Sequence, residues 1–142
     1  MKMLNKPAFM KLNIDWNADP NVPSPDVIPD SSSIRLRFYL NPWIHVARRD
    51  QKGTVTFANC SRWRLGPTND EGWYRGQCRY SGVAPGGGEF YELTGDDDHR
   101  DDPPDWVCSN APSLGQRHFL FYFRDETFEC FSADWHYQAD QA

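Results

Sequence analysis

Residues 117–133 read RHFLFYFRDETFECFSA, two apolar runs meeting at Asp125-Glu126, and they restrict the fold more than any other stretch of the chain. Side chains alternate between the two faces of a strand. Pairing Arg124 with Thr127 puts Phe119, Phe121, Phe123, Phe128 and Cys130 on one face of a hairpin. Leu120, Tyr122 and Phe131 fall on the other. A hairpin that is apolar on both faces has to be covered on both. The segment is therefore placed at the centre of the core. Its turn lacks an Asn-Gly or Asp-Gly pair, so the turn type stays open.

The remaining periodicity is also that of strands. In IRLRFYL, Ile34, Leu36, Phe38 and Leu40 alternate with Arg35, Arg37 and Tyr39, the pattern of a half-buried strand. Further strands are predicted over residues 8–15, 43–48, 54–65, 73–80 and 89–94. Residues 16–33 carry Pro20, Pro23, Pro25 and Pro29 and are read as an extended, turn-rich connector. Only the segment SADWHYQADQA, with Ser132 or Asp134 as cap, is compatible with a short helix. The expected architecture is mainly β: one antiparallel domain over residues 1–142, a sandwich or barrel of about seven or eight strands with at most one or two short helices.

Composition agrees with a globular chain that builds its core from few, large side chains: hydrophobic content is 39%, and six residues are Trp. No apolar run approaches the roughly 18 residues of a membrane span, and the first residues show no leader pattern. A soluble, cytoplasmic chain is the expectation. Cys60, Cys78, Cys108 and Cys130 have no metal-type spacing. They are read as reduced, mostly buried residues. The four histidines are scattered, and the triple glycine in APGGGEFYEL lacks the spacing of a phosphate loop. No metal or cofactor is expected.

Charge is divided along the chain. Residues 34–80 hold nine Lys or Arg against three Asp or Glu, whereas residues 81–142 hold three against thirteen; the whole carries −5. Taken as a strand, residues 73–80 point Trp73, Arg75, Gln77 and Arg79 to one side. With Arg62 and Arg64 flanking Trp63, they suggest a cationic face: Arg62, Arg64, Trp73, Arg75 and Arg79 are the candidate residues for an anionic or sugar-like ligand. The competing reading is that basic and acidic halves neutralise each other across neighbouring strands, for example Arg75 or Arg79 against Glu89 or Glu92. The acidic loop, residues 95–105, does not match a calcium loop. Asp97, Asp98, Asp101, Asp102 and Trp106 are the candidate contacts for a basic protein partner.

Three functions follow, in this order. The first is a small acidic protein-binding domain, an inhibitor or immunity-type protein neutralising a basic toxin or nuclease. The second is a ligand-binding β-domain with an Arg/Trp pocket. The third is an enzyme using Asp70, Glu71 or His118, with Glu129 on the same face as His118, as acid or base. No set of nucleophile, base and orienting group can be assembled, so no catalytic residue is assigned. Net acidity opposes general nucleic-acid binding.

Overall fold

The computed structural model describes residues 8–43, 49–67, 89–95, 104–109 and 115–140. These residues form ten strands: β1 (Ala8–Lys11), β2 (Asp26–Pro29), β3 (Ile34–Tyr39), β4 (Lys52–Ala58), β5 (Arg62–Pro67), β6 (Phe90–Thr94), β7 (Val107–Cys108), β8 (Arg117–Tyr122), β9 (Glu126–Ser132) and β10 (Asp134–Ala139). They build two antiparallel sheets, in the orders β1-β6-β8-β9-β5-β7 and β10-β4-β3-β2. Neither sheet closes on itself, so the sandwich alternative holds and the barrel does not. The described residues contain no helix long and apolar enough to cross a membrane.

The central hairpin is β8–β9, and both its faces are buried as expected. Phe119, Phe121, Phe123, Phe128 and Cys130 join Ile34, Leu36, Phe38, Val55 and Phe57 of the second sheet in one core. Leu120 and Tyr122 pack with Tyr91 and Leu93 on the opposite face. The register differs from the expected one. Tyr122, not Arg124, pairs with Thr127. Phe123 N donates to Glu126 O at 2.8 Å, which closes a two-residue turn at Arg124-Asp125. The slip is two residues, so the assignment of side chains to faces survives.

Four segments depart from the sequence reading. Residues 54–65 are two strands, not one: Asn59 takes a left-handed φ of 52°, and the chain passes from the four-stranded to the six-stranded sheet. The connector contains β2, an edge strand on β3 that ends at Pro29. An edge tolerates proline because the missing N–H would face outward. β7 is a two-residue edge strand on β5. Finally, the C-terminal segment compatible with a short helix is β10, paired with β4 along its whole length. Trp135, Tyr137 and Ala139 alternate toward the core while Asp134, His136 and Gln138 are exposed, a period of two that polar residues disguise. Strands predicted over 43–48 and 73–80 lie outside the described residues, apart from Trp43.

Trp16 and Tyr137 lie face to face, ring centroids 3.9 Å apart and 2° from parallel. Gly53 makes room for them: a Cβ there would sit 2.8 Å from Tyr137 Cε1 and 2.9 Å from Leu40 Cδ2. Burial, followed by the nearby Asp140 carboxylate, pushes the Tyr137 phenol up to about 12. The unfolded chain releases that proton near pH 10, and the folded one only near 12, so between those values the folded state binds more protons. Stability therefore falls as pH rises through this window. Urea unfolding at a series of pH values should show a steeper loss for the native chain than for Tyr137→Phe; parallel curves would reject the assignment.

Candidate functional site

The outer face of the six-stranded sheet carries its ionisable side chains in two neighbouring cross-strand rows. One row runs Leu93, His118, Phe131, Arg62, Cys108; the next runs Tyr91, Leu120, Glu129, Arg64. Asp105, the last residue of the acidic loop, and Trp106 after it lie over both. Three predicted site residues, Arg62, Arg64 and Trp106, are thereby brought together. Trp73, Arg75, Arg79, Asp97, Asp98, Asp101 and Asp102 lie outside the described residues, as do Asp70 and Glu71.

In the first row the side chains stack. The His118 ring lies on Phe131 with centroids 4.5 Å apart and planes 17° from parallel. The Arg62 guanidinium carbon sits 4.3 Å from the Phe131 ring centre and 4.4 Å from that of Trp106. Cation–π contacts of this kind hold Trp106 against the sheet. Trp106 is half-buried, and its ring packs on Arg62 and Phe131.

In the second row the side chains are charge-paired. Arg64 Nη1 donates to Glu129 Oε2 at 3.0 Å, and Arg64 Nε and Nη2 donate to the two Asp105 oxygens at 2.7 and 3.3 Å. Glu129 Oε1 lies 2.8 Å from His118 Nε2. The His118 and Glu129 side chains are only 4% and 2% exposed, and Arg64 12%. Burial works against the Arg64 charge, but hydrogen bonding to Asp105 and the field of Glu129 outweigh it and hold the guanidinium above its ordinary value. Gly66 shapes this geometry: a Cβ there would collide with the Arg64 guanidinium and lie 3.2 Å from Asp105 Oδ2. Gly66 thus clears space for Arg64.

Arg62 and Arg64, the candidate ligand residues, contact neighbours within the chain. This arrangement favours the neutralisation reading for the described residues. Arg64 of the basic half meets Glu129 and Asp105 of the acidic half, and Arg37 meets Asp140. Glu92 takes Arg117, at 2.7 and 2.9 Å, and Glu89 takes Lys11 at 3.5 Å together with Asn13 and Asn17. The His–Glu pair weighed for acid–base chemistry does form. Both side chains are buried, and Glu129 bridges His118 and Arg64. Glu129 and Asp105 are the residues that sequence reasoning missed as partners of the arginines; cross-strand register reveals Glu129, and the packing of the segment before β7 reveals Asp105.

Among the described residues no group of three or more His, Cys, Asp or Glu side chains is gathered to hold a metal ion. Comparisons with protein-family models, with curated proteins and with solved structures find no match.

Proposed function

We propose that this domain is a protein-binding domain of the inhibitor or immunity type, whose acidic residues Asp97, Asp98, Asp101 and Asp102 engage a basic partner. The observation that carries the reading is the clasp on Asp105 and Trp106. Leu93 of β6 and Cys108 of β7, the strands on either side of the acidic stretch, belong to one cross-strand row. Between Cys108 and that stretch, Asp105 is ion-paired to Arg64 and Trp106 packs on Arg62 and Phe131. Fixing the flanks of a binding segment before contact lowers the ordering cost of association. Its concentrated negative charge steers an oppositely charged protein and raises the association rate.

The pocket reading is weakened because Arg62 and Arg64 already have neighbours, and acid–base catalysis because His118 and Glu129 are enclosed. The test is to replace Asp97, Asp98, Asp101 and Asp102 together with Asn. Association with a basic partner recovered by native mass spectrometry from source lysate at low salt should slow at least about tenfold, with the salt dependence largely gone. The unfolding midpoint should change little. Unchanged association kinetics would reject the acidic stretch as the interface.

A further inference from the structure

The outer face of the four-stranded sheet lies on the side of the sandwich away from Asp105 and Trp106, and its side chains fall into cross-strand rows. Ile28, Arg35, Thr56 and His136 stand side by side on β2, β3, β4 and β10; Asp26, Arg37, Thr54 and Gln138 form the next row. Residues opposite one another on neighbouring strands share a face. Ile34, Leu36, Val55 and Phe57, which alternate with them, are core residues, so both rows turn toward solvent. Arg35 and His136 are exposed, and Thr56 between them is half-buried.

Most charges on this face are matched. Arg37 is ion-paired with Asp140, and Asp134 takes Arg117 Nη1 at 3.2 Å. Lys52 lies over the Tyr39 ring, 4.6 Å from its centre. The middle of the first row differs: among the described residues no ion pair or side-chain hydrogen bond joins Arg35, Thr56 or His136. The spacing of strands puts Arg35 and His136 about 10 Å apart across Thr56. Both side chains are longer than the one between them, so their N–H groups can converge above its hydroxyl. All three groups donate, and a guanidinium fork suits the paired oxygens of a phosphoryl group. Asp26, Asp134 and Asp140 flank the row and disfavour an extended polyanion.

We propose that Arg35, Thr56 and His136 form a binding site for a compact phosphate monoester, with its phosphoryl group seated over Thr56. Arg35 holds two phosphoryl oxygens through its fork, and the Thr56 hydroxyl and a His136 ring N–H donate to the phosphoryl group. Ile28, beside Arg35 and 37% exposed, receives the organic part of the ester. This site and the acidic interface lie on different sheets, so each stands or falls separately.

Inorganic phosphate and phenyl phosphate should be titrated into the isotope-labelled full chain at low salt and followed by backbone amide shifts. The expected result is saturable shifts confined to Arg35, Thr56, His136 and their strand neighbours, with phenyl phosphate the tighter ligand. Arg35→Gln should weaken binding at least about tenfold, the loss of hydrogen bonds to a charged group. Arg35→Lys, which keeps the charge and removes the fork, should not restore it fully. Lys52→Gln, on the same face, should bind as the native chain does. Shifts that do not saturate, equal weakening by Lys52→Gln and Arg35→Gln, or tighter binding of a single-stranded oligonucleotide at the same residues would each overturn the proposal.

Discussion

Replacing Glu129 with Ala should destabilise the domain by about 3–5 kcal/mol, the cost of removing one partner from a buried charge pair. The carboxylate serves two donors at once, His118 Nε2 at 2.8 Å and Arg64 Nη1 at 3.0 Å, beneath a surface that leaves it almost no solvent. After truncation, water cannot easily replace it at either atom. Arg64 keeps Asp105, which is why the loss stops short of a fully orphaned guanidinium. Glu129→Gln retains one acceptor oxygen and should lose about 1.5–3 kcal/mol, the range for a hydrogen bond to a charged group. Urea midpoints read both. A loss below about 1 kcal/mol for the Ala variant would mean that the row is not closed as described.

A companion substitution separates stability from positioning. Replacing Arg64, Glu129 and His118 together with Met, Leu and Phe removes the polar heads of the linked trio while keeping its volume. Such exchanges are often neutral or stabilising, because ions no longer have to be desolvated. If the triple variant unfolds no more easily than the native chain, the row is not there for stability. Its remaining consequence is the grip on Asp105, and association with the basic partner should then weaken although the acidic residues themselves are intact.

What the sequence disclosed divides along a physical line. Face assignment needs only the parity of the strand period. The two-residue slip in the β8–β9 register therefore left the Phe119 and Leu120 faces correctly separated. Register itself was not legible, and with it went the site. With Arg124 against Thr127, Glu129 would lie beside Tyr122, four residues along from His118. In the structure it lies beside Leu120, diagonal to His118 and opposite Arg64. The break inside residues 54–65 was hidden because no glycine or proline marks it; Asn59 supplies the left-handed φ, which Asn tolerates better than most residues. β10 was hidden by its exposed Asp134, His136 and Gln138, which resemble a capped helix until β4 is known to run alongside.

The largest single loss from the core is expected at Phe90. Its ring lies 5.6 Å from Phe121 and 5.8 Å from Phe119 in its own sheet, and 5.8 Å from Phe57 and 5.1 Å from Trp135 in the opposite one. Trp16, from the segment between β1 and β2, closes the cluster at 6.3 Å. Phe90→Ala thus opens a cavity whose walls belong to both sheets. Those walls are themselves large, ring-locked side chains that cannot collapse into it. Loss of transfer energy and cavity together should come to about 3–5 kcal/mol, a large fraction of the ~5–15 kcal/mol that stabilises a typical domain. Phe9, on the edge strand β1 with its ring against Tyr91, should cost clearly less when truncated. If Phe90 bridges the sheets, a double-mutant cycle with Phe57→Ala should return a coupling of about 0.5–3 kcal/mol. Additive losses would instead mean that the two sheets are held together elsewhere, and the face-to-face packing of this cluster would have to be abandoned as the source of cohesion.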